Sequence, residues 1–118
     1  MIPKFRAWDK IRNRISEVER IYIDTKGVRL RDENGEYWRR FDDVILMQST
    51  GLFDINGKEI FEGDIVRMHS GELLPVKLHH GMFEPVCYYA SRAFGRVGNV
   101  FENPELLEHP DFREEIND

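Results

Sequence analysis

The segment from residue 46 to residue 66 constrains the fold of this chain more than any other. It reads LMQSTGLFDINGKEIFEGDIV, in which short apolar runs alternate with turns that contain glycine. Short apolar runs bounded by Gly, Asn and Asp are typical of β-strands joined by tight turns. The segment therefore predicts a β architecture, and it carries no signature of a particular reaction.

Two Asn-Gly pairs mark the positions where we expect hairpins. Asn34-Gly35 lies between the apolar alternations of residues 28–31 and 36–41, and Asn56-Gly57 has apolar residues on both sides in the same way. Asn-Gly favours the type I′ turn because both central residues of that turn have positive φ. We therefore predict a type I′ hairpin at each pair.

The segment from residue 15 to residue 23 gives two conflicting signals. Apolar residues at 15, 18 and 22 have the spacing of a helix, whereas the Ile21-Tyr22-Ile23 run suits a strand. We favour the strand because β-branched and aromatic residues dominate. Further strands are predicted at residues 5–8, 44–48, 65–69, 75–79, 81–85, 86–89 and 97–101.

Two of these elements carry more specific expectations. The run VILMQ at residues 44–48 predicts a central strand, with most side chains of residues 44–47 more than about 90% buried. After the last strand, residues 103–107 predict a short C-terminal helix. Asn103 would be its N-cap and Pro104 its first helical residue.

These elements together predict a mainly β fold (β-rich α+β). Eight to ten short strands at turn spacings of about 8–12 residues favour a small barrel or sandwich. Residues 62–67, followed by Ser70-Gly71, resemble the start of an SH3-like barrel, which places that barrel in the C-terminal half. At 118 residues the chain is expected to form one domain. Within that domain, a division into an N-terminal subdomain (1–45) and a C-terminal barrel (46–107) is an alternative that we leave open.

Charge limits the partners that we expect. The net charge of −5 argues against a general nucleic-acid binder, because phosphate binding needs clustered cations. The acidic residues gather at residues 102–118. Each charged end of the chain can be a solvated face. Alternatively, the basic end contacts an acidic partner or the acidic tail of another subunit. The cations that crowd the first twenty residues are Lys4, Arg6, Lys10, Arg12, Arg14 and Arg20.

Catalytic and metal-binding patterns are not found. His79 and His80 are adjacent, so on a strand they would point to opposite faces and could not share an ion. The segment that begins at Asp54 starts like a calcium-binding loop. Counted from Asp54 as the first position, Gly57 is the fourth residue, whereas an EF-hand loop has its glycine at the sixth. There is no Gly-x-Ser-x-Gly. We expect no catalytic residues, no metal, no cofactor and no enzymatic activity.

The lone Cys87 lies in an apolar context and is expected to be a buried structural thiol. With a single cysteine, no apolar run of the roughly 20 residues that span a bilayer and no signal peptide, the chain is expected in the cytoplasm of a bacterial host.

Aromatic and basic residues point to one candidate interaction surface. Tyr37 and Trp38 lie beside Arg39 and Arg40, which would combine stacking with positive charge if the four side chains were exposed together. Arg12 and Arg14 are the nearby N-terminal cations that we assign to the same surface.

Three segments resemble the YopX family of phage and prophage proteins: KFRAWDK at residues 4–10, the stretch 43–66, and VGNVFENPELL at residues 97–107. The resemblance implies a β-rich fold encoded by phages, without an assigned activity and without catalytic residues to transfer. Residues 11–40 and 68–96 lie outside the matching segments.

The functional expectation is a phage or prophage accessory protein that acts as a non-catalytic binding or assembly module. We expect it to be a homo-oligomer, because sheet edges need to be covered and symmetric association is one way to cover them. Its other partner would be an unidentified phage or host protein, and no membrane is involved. The alternatives are a nucleic-acid-associated accessory protein that uses the N-terminal cations with Tyr37 and Trp38, and a small hydrolase.

Overall fold

A computed structural model describes residues 4–108, and it is mainly β, with 56% of those residues in strands and 13% in helical turns. All strand pairings are antiparallel, and the helical turns are of the 3₁₀ type, so the mainly β prediction is confirmed. No helix in this range is long and apolar enough to cross a membrane.

The strands are β1 (Phe5–Asp9), β2 (Arg14–Tyr22), β3 (Gly27–Asp32), β4 (Gly35–Arg40), β5 (Val44–Phe53), β6 (Glu59–Phe61), β7 (Asp64–Met68), β8 (Leu73–Pro75), β9 (Lys77–His79), β10 (Met82–Glu84) and β11 (Phe94–Asn99).

The chain divides after Gln48 into two units. In the first unit the strands follow the order β4-β3-β2-β1, and the first half of β5 pairs with β1. Residues 15–22 of the ambiguous segment lie in β2, so the strand prediction is confirmed there, and Ile23 begins the turn that follows. The core of this unit is formed by Ala7, Val28, Leu30 and Val44, with Val18, Ile21, Tyr37, Phe41 and Leu46 packed against it.

The start of β5 is less buried than the apolar run predicts. Val44 and Met47 are buried, Leu46 is half-buried, and Ile45 is 37% exposed. The prediction that most of these four side chains are more than 90% buried is therefore wrong. Alternation along the strand places Ile45 opposite Trp8 of β1, on the face away from Ala7 and Leu46.

The second unit contains three antiparallel groups of strands. The second half of β5 pairs with β6, β7 lies between β8 and β11, and β9 pairs with β10. Within the described residues these sheets stay open, because β8 and β11 each have only one strand neighbour, so no closed barrel forms and the SH3-like barrel is not confirmed. The core of this unit contains Ile60, Val66, Met68, Val76, Val86 and Phe94.

Both Asn-Gly hairpins form, but neither is a type I′ turn. Gly35 has φ +116° and Gly57 has φ +77°, whereas neither asparagine is among the residues with positive φ. In the second hairpin the N–H of Gly57 donates to the carbonyl of Asp54 (2.9 Å), and the N–H of Asp54 donates to the carbonyl of Lys58 (2.9 Å). This is a longer loop that closes on a left-handed glycine.

Several boundaries near the C-terminus differ from the sequence expectation. Residues 86–88 form a 3₁₀ turn instead of a strand, and the last strand begins at Phe94 instead of Val97. A 3₁₀ turn at Pro104–Glu108 replaces the predicted helix. Asn103 does not cap this turn with its side chain. Its Oδ1 accepts a hydrogen bond from the N–H of Asn99 (3.1 Å).

Candidate interaction surfaces

Strand alternation divides the predicted surface between two faces of β4. Tyr37 and Arg39 point to one face of the sheet, and Trp38 and Arg40 point to the other. The structure therefore brings Arg12 to Tyr37 and Arg39, and it does not bring Trp38 and Arg40 to them. The six predicted residues form two separate surfaces.

Tyr37 is the centre of the first surface. The guanidinium of Arg12 lies 4.2 Å from the centroid of the Tyr37 ring, and that of Arg39 lies 4.8 Å from it. The Tyr37 hydroxyl shares a 2.7 Å hydrogen bond with Ser16 Oγ. We call Asp9, Arg12, Ser16, Tyr37 and Arg39 the tyrosine cluster.

Asp9 supports this cluster through hydrogen bonds, and it was not among the residues predicted from the sequence. Its side chain is fully buried at the end of β1, where Oδ1 accepts hydrogen bonds from the N–H groups of Ile11 (2.9 Å) and Arg12 (3.3 Å). Arg39 Nε donates to the same oxygen at 3.2 Å. The other oxygen, Oδ2, is buried without a hydrogen bond of ordinary geometry from the described residues. Its place in the sequence, as an aspartate directly before a polar turn, is the pattern that could have identified Asp9 as a turn-stabilising residue.

The cluster keeps its carboxylate charged. Burial alone would raise the pKa of Asp9, but the N–H groups of Arg12 and Ile11 lower it, and Tyr37 and Arg39 add to this, so the pKa lies below its ordinary value. Burial is the main reason that the pKa of Tyr37 is raised, and the nearby Asp9 charge acts in the same direction. At neutral pH the cluster therefore holds an ionised Asp9 and a neutral Tyr37, which suits a fixed contact surface more than proton transfer.

The arginines at the edge of this cluster are paired with acids of the β3–β4 hairpin. Arg12 Nη1 lies 3.1 Å from Asp32 Oδ2, whose side chain is only 4% exposed. Arg14 Nη2 donates to Glu33 Oε1 at 2.8 Å, and this hydrogen bond raises the pKa of Arg14. A phosphate would have to compete with these carboxylates for the same donors.

The opposite face of β4 carries a different arrangement. The Trp38 ring lies across Gly27 of β3, where an added Cβ would overlap the ring. Tyr22 packs on it at a centroid distance of 5.4 Å and an interplanar angle of 51°. Trp38 still exposes 42% of its surface, so it covers the glycine and faces solvent at the same time.

The second unit presents a surface that the sequence analysis missed. β9 and β10 form a two-stranded ribbon, joined by His80 (φ +52°) and Gly81 (φ +78°) in the positive-φ pair of a type I′ turn. His-Gly between apolar residues is a weaker turn signal than Asn-Gly. We call this ribbon, with Tyr88 and Tyr89, the hairpin patch.

Glu84 links the polar side chains of the hairpin patch. Its Oε2 accepts a 2.7 Å hydrogen bond from the Tyr88 hydroxyl, and its Oε1 lies 3.3 Å from His79 Nδ1. The bond from Tyr88 is the main cause of a lowered pKa at Glu84, and it raises the pKa of Tyr88 to about 12. Tyr88 therefore stays protonated at neutral pH and is poorly suited to act as a base.

The histidine pair differs from the strand-based expectation. The rings of His79 and His80 lie 4.0 Å apart, because His80 is in the turn and does not alternate with its neighbour. The prediction that they point to opposite faces is wrong. Within residues 4–108 no group of three or more His, Cys, Asp or Glu side chains could hold a metal ion, and Cys87 is half-buried instead of fully buried. His109 lies outside the described residues.

Large apolar side chains are concentrated on the hairpin patch. The exposed fractions are 45% for Leu78, 42% for Met82, 60% for Tyr88 and 52% for Tyr89. Of these, Met82 and Tyr88 lie together, with the Tyr88 hydroxyl 4.0 Å from Met82 Sδ, and exposed apolar groups that lie together on a small domain are typical of interaction sites. The patch therefore combines an apolar surface with charged groups of both signs.

Comparisons with known proteins place this chain among related structures. The model of the YopX protein family matches residues 4–108. Protein EF1440 from Enterococcus faecalis superposes with a TM-score of 0.64 at 27% identity, covering 91% of this chain and 99% of that one. YopX from Bacillus subtilis superposes with a TM-score of 0.60 at 18% identity, covering 88% and 97%, which shows the fold alone. No curated protein matches the chain.

Proposed function

The chain belongs to the YopX family, and we propose that it is a non-catalytic assembly module that self-associates through the hairpin patch. The observation that carries this proposal is the two-stranded ribbon itself. Two strands alone are marginally stable in water, and a third or fourth strand stabilises them. Pairing with the same ribbon of a second copy would give a four-stranded antiparallel sheet.

The ribbon has the features that such pairing requires. All three residues of β9 are exposed, and neither β9 nor β10 has a further strand neighbour among the described residues. Unpaired N–H and C=O groups on an exposed strand edge are a template for another strand. Extension by a second copy would satisfy those groups. Alternation places Met82 on the same face of the ribbon as His79 and Leu78 on the opposite face, so each face of the extended sheet would carry one of these apolar side chains from each copy.

Charge on the ribbon also fits a second copy. Lys77 and Glu84 are cross-strand partners, so both signs of charge lie beside the apolar side chains. In a two-fold interface each patch meets itself, and Lys77 of one copy can then face Glu84 of the other. A patch of one sign would repel its copy.

A phage or prophage origin is part of this proposal, and the sequence resemblance supports it. The nucleic-acid alternative has less support, because Arg12 and Arg14 are engaged by Asp32 and Glu33. We expect no DNA or RNA binding tighter than about 10 µM at physiological salt, measured by fluorescence anisotropy. Submicromolar binding that weakens after charge reversal at Arg12 and Arg14 would favour that alternative instead.

The proposal is tested by the mass in solution at micromolar concentration. We expect light scattering to give about twice the 14.0 kDa mass of one chain, or a higher multiple. Met82→Glu places a charge on the patch and should return the mass to that of one chain. Ile23→Glu is the matched control, because Ile23 is 74% exposed in the first unit, outside the ribbon.

Two results would overturn the proposal. A wild-type protein that is monomeric throughout this range would remove self-association. A wild-type oligomer that persists in both Met82→Glu and Leu78→Lys would remove the hairpin patch as its interface. Far-ultraviolet circular dichroism of each variant checks that the strands still form.

A further inference from the structure

A cleft of about 290 Å³ in the second unit carries an unusual concentration of positive charge. Arg67, His69, Arg92 and Arg96 line it, and none of its lining residues is acidic. The whole chain has a net charge of −5, with 22 acidic residues against 17 lysines and arginines. A cleft with three arginines and no acid is therefore a local reversal of the charge of the protein.

The fold fixes the positions of these arginines. Arg67 is the outward residue of β7 and lies opposite Gly95 of β11, and Ile55 Cγ2 lies 3.5 Å from the position that a Cβ at Gly95 would take. Its Nη1 donates a 3.0 Å hydrogen bond to the carbonyl of Gly71, which orients the guanidinium. Arg96 follows in β11, and its N–H is held by Asp54 Oδ2 at 2.8 Å.

Two of the three guanidinium groups keep their donors available. Among the described residues, the side chains of Arg92 and Arg96 make no hydrogen bond or ion pair. This distinguishes the cleft from the tyrosine cluster, where Arg12 is paired with Asp32. An anion bound in the cleft would give the side chains of Arg92 and Arg96 a charged partner that they do not have among the described residues.

We propose that this cleft binds a small phosphate-bearing ligand, with the charge of a pyrophosphate group. The planar fork of arginine matches phosphate oxygens in a bidentate arrangement, and several forks together match a multiply charged anion better than a single carboxylate. The volume suits one small molecule. Ile55 (60% exposed) and Val97 (43% exposed) lie at the same cleft and give the non-phosphate part of a ligand an apolar contact.

The phosphate can come from free pyrophosphate or from a nucleoside diphosphate, and two titrations separate these sources. Isothermal titration calorimetry uses the full chain with pyrophosphate in one series and ADP in the other, at one fixed ionic strength. Tighter binding of ADP assigns the apolar contact to a nucleoside. Equal affinities assign the site to the phosphate groups alone, and both results support the proposal.

Charge and donor geometry are separated by four variants. Arg92→Gln and Arg96→Gln should each weaken pyrophosphate binding about tenfold, and Arg92→Lys should weaken it less, since it keeps the charge and loses the fork. Arg20→Gln is the matched control, because Arg20 is an exposed arginine of the first unit and its loss changes the net charge equally. It should leave the affinity unchanged.

The proposal is overturned if neither pyrophosphate nor ADP binds at millimolar concentration. It is also overturned if Arg20→Gln weakens binding as much as Arg96→Gln, which would indicate non-specific charge attraction, or if succinate binds as tightly as pyrophosphate. Melting curves measured without ligand check that each variant folds. Arg92→Gln provides a test that does not involve Arg96, whose backbone N–H donates to the buried Asp54. The result does not depend on the oligomeric state.

Discussion

Each unit of this protein contains a buried aspartate at a turn, and the two carboxylates are used differently. Asp54 accepts hydrogen bonds from three backbone N–H groups with both oxygens: Oδ1 accepts from Asn56 (2.9 Å) and Lys58 (2.8 Å), and Oδ2 accepts from Arg96 (2.8 Å). Asp9 accepts through Oδ1 from two backbone groups and from the Arg39 side chain, and its Oδ2 accepts none of ordinary geometry.

The difference separates a structural role from a surface role. Asp54 joins its own turn to β11, 42 residues later in the chain, so it fixes the path of the backbone. Asp9 fixes its turn and orients the side chain of Arg39 beside Tyr37. Two buried carboxylates whose pKa values are both lowered can therefore have different structural roles.

The largest expected effect is that of Asp54→Asn. An asparagine has one acceptor oxygen, so in either orientation its amide group faces at least one N–H donor that the carboxylate had satisfied. We expect a loss of about 3 kcal/mol in the free energy of unfolding, measured by urea denaturation. A loss below about 1 kcal/mol would show that the bridge to Arg96 contributes little.

Gly57→Val comes next, and it tests the same turn through its backbone. Gly57 has φ +77°, and a β-branched residue is strained there, so we expect a loss of about 2 kcal/mol in the free energy of unfolding. The matched position in the Asp9 turn is Asn13 (φ +56°). Asn13→Gly should change stability by less than about 0.5 kcal/mol, since glycine adopts that φ freely. An unchanged melting midpoint in Gly57→Val would contradict the left-handed turn.

Asp9→Asn should cost less than Asp54→Asn. Its oxygen can take the place of Oδ1 and keep all three hydrogen bonds, while its amide, in the place of Oδ2, brings N–H donors to a position without an acceptor of ordinary geometry among the described residues. We expect about 1 kcal/mol by the same urea measurement. If the two asparagine variants were equally destabilised, the distinction between the two carboxylates would fail.

Acid pH gives the smallest of these effects and acts on both sites. The folded-state pKa values of Asp9 and Asp54 lie below the ordinary 3.8. A carboxyl with a lowered folded-state pKa contributes stability that is fully present above its unfolded-state pKa and is lost as the pH falls through the folded-state pKa. We expect constant stability from about pH 7 to 5 and a decline below about pH 4, with a shallower decline in each asparagine variant. Urea unfolding at both ends of this range measures it, and a decline that begins at neutral pH would point to other groups.

Local chemistry predicted most of the strands, and distant contacts explain where the sequence failed. β2 follows from its β-branched residues, and the Asn56-Gly57 turn follows from its glycine. The β11 strand begins three residues earlier than the apolar run, because pairing with β7 draws Gly95 and Arg96 into the sheet. No local pattern contains the contact between Asp54 and Arg96.

The candidate surfaces were predictable only in part. Arg12, Tyr37 and Arg39 do meet, but the period of two along a strand already implied that Trp38 would point away from Tyr37. The hairpin patch depends on a His80-Gly81 turn, and the arginine cleft depends on how β7 and β11 align. The first is a local turn with a weak sequence signal, and the second arises from pairing between strands distant in the chain, which the sequence does not display.

The Trp38 ring that covers Gly27 has a consequence for how this family can diverge. The ring occupies the place of any side chain at position 27, so the residues at these two positions are sterically coupled. Gly27→Ala alone should be selected against while the indole is present, and it becomes tolerable only after a smaller residue replaces Trp38. We therefore expect relatives of this chain to retain both residues or to exchange both.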